Sequence, residues 1–94
     1  MKNKTPEQII NECFNLNPNA IKVDGLSSVD DVAMNSCVIG IDKKNKVLLY
    51  DYQKLIDVWV TRDGMTRDEA VEWFDYNVSH IFNGRKDFPR LRNL

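Results

Sequence analysis

Apolar positions recur at helical spacing in TPEQIINECFNL, placing Ile9, Ile10, Cys13 and Phe14 on one stripe. Thr5 is a natural N-cap, Pro6 suits the first helical position, and Gln8 three residues after Thr5 completes a capping box. Asn17-Pro18 ends this helix, because the residue before a proline is pushed out of the helical region. Between residues 19 and 35 the spacing weakens; AIKV reads as a short strand and SSVDDVAM as a helical turn capped by Ser27 or Ser28. SCVIGID and KVLLYDY are β-branched and apolar around the polar DKKNK, which predicts an antiparallel hairpin with Asn45 in a left-handed conformation. Both strands are partly apolar on both faces, so each face needs a cover. Gly40 within the first strand marks a bulge or a close backbone approach.

Asp51 then caps a second helix carrying Tyr52, Leu55, Ile56 and Trp59 on one face, with Val58 and Val60 at its edges and Asp63-Gly64 as its stop. Thr66-x-x-Glu69 is a second capping box, with Met65 placed as a hydrophobic staple. So short a link lays the third helix against the second as a hairpin. Ala70, Phe74, Val78 and Ile81 centre its apolar face, Val71 and Phe82 flank it, and Gly84 ends it. The tail RKDFPRLRNL reads as extended because of Phe88-Pro89. The pattern predicts one α+β domain: an N-terminal helix, an antiparallel β-hairpin or a three-stranded sheet gaining residues 20–23, and a C-terminal helical hairpin packed on the sheet.

With 94 residues, 43% hydrophobic and 29% charged, the chain suits a single modest core rather than disorder. Apolar runs such as Cys37-Val38-Ile39 and Val47-Leu48-Leu49-Tyr50 are far short of the roughly 18 to 20 residues a bilayer span needs, and no signal-peptide segment follows MKNKTPEQ. A cytoplasmic protein without membrane association, monomeric or homodimeric, is expected. Cys13 and Cys37 lack redox or metal spacing and read as reduced, buried residues; no metal site and no cofactor is expected. The four glycines are isolated, so no phosphate-cradling loop exists.

The net charge of −1 conceals an uneven distribution. Residues 57–75 carry Asp57, Asp63, Asp68, Glu69, Glu72 and Asp75 against Arg62 and Arg67, while Arg85, Lys86, Arg90 and Arg92 face only Asp87 in the tail. Lys43, Lys44 and Lys46 add a second basic cluster on the hairpin turn. Both clusters are candidate phosphate contacts, although a sequence pI near 5.7 opposes polyanion binding by the molecule as a whole. On the third helix Glu69, Trp73, Tyr76 and His80 align at i, i+4, i+7 and i+11, a row that is either the edge of the core or a partner-binding surface. His80 has no Ser or Cys nucleophile placed with it, and Asp51 and Asp30-Asp31 read as cap and loop charges, so no catalytic residue is assigned. Asn77 falls inside the apolar stripe, where a buried amide must bond to a neighbouring loop or strand.

From about residue 23 to 78 the chain resembles a family of small uncharacterised bacteriophage and prophage proteins. The likeness rests on Asp24-Gly25, Asp30-Asp31, VIGID, the YDY at residues 50–52 followed by Lys54, and GMTRDEAVEWFDYNV. It implies phage origin and a small α/β fold, and supplies no activity to carry over. Small phage proteins without catalytic motifs often occupy a host partner's surface. The expectation is therefore a non-enzymatic interaction protein binding a bacterial protein or nucleoprotein, acting against host defence in the manner of anti-CRISPR proteins. The alternative is a small nucleic-acid-associated regulator using the basic tail and the hairpin turn.

Overall fold

A computed structural model describes residues 4–23 and 33–92. Helix α1 spans Pro6–Leu16, and both halves of its capping box form, the Thr5 hydroxyl accepting from the Gln8 N–H and the Gln8 carboxamide from the Thr5 N–H. Ile10 and Cys13 are buried beneath it. Residues 33–35 are helical; the expected Ser27 and Ser28 caps lie outside the described residues.

Strands β1 (Val38–Asp42) and β2 (Val47–Asp51) pair antiparallel, with the register slipping between Val38 and Gly40, so the bulge anticipated at Gly40 is present. The left-handed residue of the turn is Lys46 (φ 56°), not Asn45. The Asp42 carboxylate explains the choice: it accepts from the Lys44 and Asn45 N–H groups and from the Asn45 side chain, while Lys46 N–H donates to the Asp42 carbonyl at 2.7 Å. This winds residues 43–45 into a right-handed turn and leaves the reversal of φ to the residue before β2.

Helix α2 (Tyr52–Asp63) follows β2 directly, capped by Asp51, whose carboxylate accepts from Gln53 N and Lys54 N at 2.9 and 3.3 Å. Gly64 stops it at φ 71°, and α3 (Arg67–Asn77) starts with the capping box Thr66/Glu69. Arg67 ties the helical hairpin together, reaching Asp57 at 2.8 Å and also Gln53. Phe74 sits at its centre, edge-on to Tyr52 (centroids 5.1 Å apart), tilted against Trp59 (6.4 Å) and stacked with Phe82 (5.8 Å).

Two expectations are corrected at the end of α3. The helix does not run to Gly84 but stops at Asn77 and tightens into a 3-10 turn, Ser79–Ile81. Asn77 is exposed rather than buried, and its amide donates to the Trp73 carbonyl of its own helix at 3.2 Å. The Ser79 hydroxyl likewise donates to the Asp75 carbonyl at 2.7 Å. Side chains that bond backward in this way compete with the helical ladder. Val78 and Phe82 then close the core from the turn, Phe82 meeting Tyr50 edge-on at 5.7 Å.

The third strand also differs from expectation. Residues 20–23 are not a strand; they are fastened by Ile21 N–H to the Asp87 carbonyl (2.9 Å) and Val23 N–H to the phenolic oxygen of buried Tyr50 (3.0 Å). The strand is β3, Arg90–Arg92, parallel to β2 in a sheet of order β1-β2-β3. A parallel neighbour requires a long crossover, here both C-terminal helices. The architecture is α+β, with the N-terminal helix and the helical hairpin packed on a mixed three-stranded sheet.

Candidate functional site

The outer face of α3 is built by the same turns that bury Ala70 and Phe74. With a repeat of 3.6 residues, Glu72 and Tyr76 point away from those two, while Glu69 and Trp73 flank the buried face. Tyr76 is 85% and Trp73 40% exposed, values that large aromatic side chains adopt at a cost of unburied apolar area. Met65, Glu69, Glu72, Trp73, Tyr76 and Asn77 line a shallow cleft of about 300 Å³. Glu69 contributes one carboxylate oxygen to the capping box, accepting from the Thr66 N–H at 2.9 Å, which fixes its position at the cleft edge. The row drawn from spacing is thus brought together in three of its members. His80 stands exposed on the 3-10 turn beyond the helix and does not line the cleft. Spacing misses Met65, Glu72 and Asn77: Met65 lies outside the helix, and the apolar stripe places Asn77 in the core.

A different surface gathers the basic clusters. Lys43, Lys44, Lys46, Arg85, Lys86 and Arg92 are exposed, whereas Arg90 is built into the fold. Its guanidinium donates to the carbonyls of Phe88 (2.7 Å), Arg85 (3.3 Å) and Gly84 (3.4 Å) and lies 3.9 Å from the Asp42 carboxylate. Hydrogen bonding from Asn45 above all, aided by Arg90, holds the Asp42 carboxyl below its ordinary range. Between α1 and β1 an open groove of about 590 Å³ is lined by Ile9, Ile39 and Ile41, with Lys43 and Lys54 at its margin.

Neither cysteine is placed to act as a nucleophile. Burial pushes the Cys37 thiol up to about 11 and raises that of Cys13, so both are protonated near neutral pH. Cys13 Sγ lies 3.6 Å from the Lys46 carbonyl and Cys37 Sγ 3.5 Å from that of Ala33. Asp51 is engaged as a cap; Asp30 and Asp31 lie outside the described residues. Among the described residues no three His, Cys, Asp or Glu side chains are grouped to hold a metal ion, and no helix is long and apolar enough to cross a membrane. In comparisons with family models, curated proteins and solved structures, nothing matches the chain.

Proposed function

We propose that this is a non-enzymatic interaction protein whose α3 face engages a cationic side chain on a bacterial protein or nucleoprotein. The observation that carries the reading is the exposure of Trp73 and Tyr76 beside Glu69 and Glu72 around one cleft. Aromatic faces attract guanidinium and ammonium groups through their quadrupole, and adjacent carboxylates add a direct charge pair. Trp and Tyr also supply large contact area with few rotatable bonds, the property that makes them frequent hot spots. The acidic surroundings, with Asp68 and Asp75 exposed on the same helix, favour approach of a basic partner.

The resemblance to bacteriophage proteins directs this reading toward a phage-encoded inhibitor of a host defence complex, of the anti-CRISPR kind. Trp73→Ala and Tyr76→Ala should each weaken capture of the partner from bacterial lysate by about 2 kcal/mol, roughly thirty-fold, with an unchanged thermal midpoint. Undiminished capture by both folded variants would sink the assignment of this face.

A further inference from the structure

We infer that the hairpin turn and the C-terminal loop form one composite site for the phosphodiester backbone of a nucleic acid, separate from the α3 cleft. The two basic clusters lie some forty residues apart in sequence. Two connections join them in space. Asn17 Nδ2 donates both to the Lys46 carbonyl (3.0 Å) and to the Asp87 carboxylate (2.9 Å), so one amide links the turn to the loop. Arg90 makes the second, holding the carbonyls of residues 84 and 85 on one side and the Asp42 carboxylate on the other.

These connections also decide which charges remain outward. Asp42, the last residue of β1, and Asp87 in the C-terminal loop are the acids at the joint, and both are hydrogen-bonded by groups inside it. Lys43, Lys44, Lys46, Arg85 and Lys86 are exposed, and none is ion-paired among the described residues. Five exposed cations on two loops joined by Asn17 and Arg90 outnumber the two acids there, Asp42 and Asp87, and Arg90 further offsets Asp42, so the joint carries a positive potential despite the net charge of −1. Leu16, 54% exposed at the end of α1, is the large apolar side chain next to the joint, too little for the apolar centre of a protein interface. Lysines, as compact point charges, suit phosphate contacts without base reading. The ligand is therefore read by charge rather than by sequence.

Fluorescence anisotropy at 50 mM salt with labelled duplex DNA, single-stranded DNA and RNA tests the site, using the wild type and the double variants Lys43→Gln/Lys44→Gln and Arg85→Gln/Lys86→Gln. At least one probe should bind. Each double variant should weaken that probe about ten-fold or more, and the salt dependence on duplex DNA should fall by about 0.9 in slope for each phosphate that is no longer neutralised. Unlabelled polyglutamate should compete poorly. All four positions are exposed, and an unchanged melting curve for each variant establishes that the fold is intact. Failure of all three probes to bind overturns the inference. Weakening confined to one of the two variants overturns the single composite site, and competition by polyglutamate equal to that of nucleic acid overturns the assignment of ligand.

Discussion

Two glycines that look alike in the chain have opposite standing in the fold. Gly64 holds φ at 71°, a left-handed conformation in which a side chain is strained whatever space surrounds it. Gly40 sits at a bulge, and a Cβ there would meet only Leu49 Cδ2 at 4.0 Å, an ordinary contact. Gly64→Ala should therefore destabilise by about 1 kcal/mol, whereas Gly40→Ala should be neutral or stabilising by up to about 0.5 kcal/mol, as measured by urea unfolding. Asp42 makes a pH prediction. Its folded pKa lies below the ordinary 3.8, so the carboxylate's stabilisation is fully present above that value and is lost as pH falls through the folded pKa. The advantage of wild type over Asp42→Asn in urea midpoint should be constant from about pH 5 to 7 and shrink below about pH 4.

At the scale of elements, the capped helices were legible and the short strand was not. Thr5, Asp51 and Thr66 each announce a helix through a local bond between side chain and backbone, and such bonds depend on residues two or three positions away. β3 is three residues long with arginine at both ends, too short to display a period of two. Its place is held by distant groups: Leu91 opposite Tyr50 and Arg92 opposite Asp51 in the ladder, with Pro89 fully buried just before it. The tail is consequently part of the sheet rather than an appendage. Deleting residues 85–94 should lower the thermal midpoint by more than about 10 °C, given that a loss of about 1 kcal/mol moves it roughly 4 to 8 °C in a domain this small. A midpoint within a few degrees of wild type would show that β3 is dispensable. Side-chain neutralisation, not truncation, is for this reason the sound probe of the basic loop.

For the molecule as a whole, charge is divided unevenly between the helical hairpin and the joint of turn and C-terminal loop. The helical hairpin carries Asp57, Asp63, Asp68, Glu69, Glu72 and Asp75 exposed against Lys54, Arg62 and Arg67, together with the aromatic cleft, and the joint of turn and C-terminal loop carries Lys43, Lys44, Lys46, Arg85 and Lys86 exposed. A near-neutral total thus covers two surfaces of opposite sign, each able to act over about a Debye length, roughly 8 to 10 Å at physiological salt. An acidic aromatic face and a basic one on the same small body would suit a nucleoprotein partner that offers both charges. The effects of Trp73→Ala and Arg85→Gln/Lys86→Gln on capture of such a partner should then be close to additive when combined, because the two faces share no residue.

The helices, their caps and the hairpin were readable from the chain because each depends on neighbours within one or two turns, and apolar periodicity selected their buried faces. Spacing placed Trp73 and Tyr76 in one row beside the apolar stripe but left open whether that row is core edge or surface; only the fold leaves Tyr76 85% and Trp73 40% exposed. The end of α3 at Asn77, the left-handed Lys46 and the parallel β3 follow from tertiary packing, which determined where Phe82 could close the core and how Asp42 and Asp87 are held. Distant residues meet through contacts that leave no local period. Arg90 appears in the chain as one more surface cation, and only the fold, by surrounding it with three carbonyls and Asp42, turns it into the strut between two basic loops.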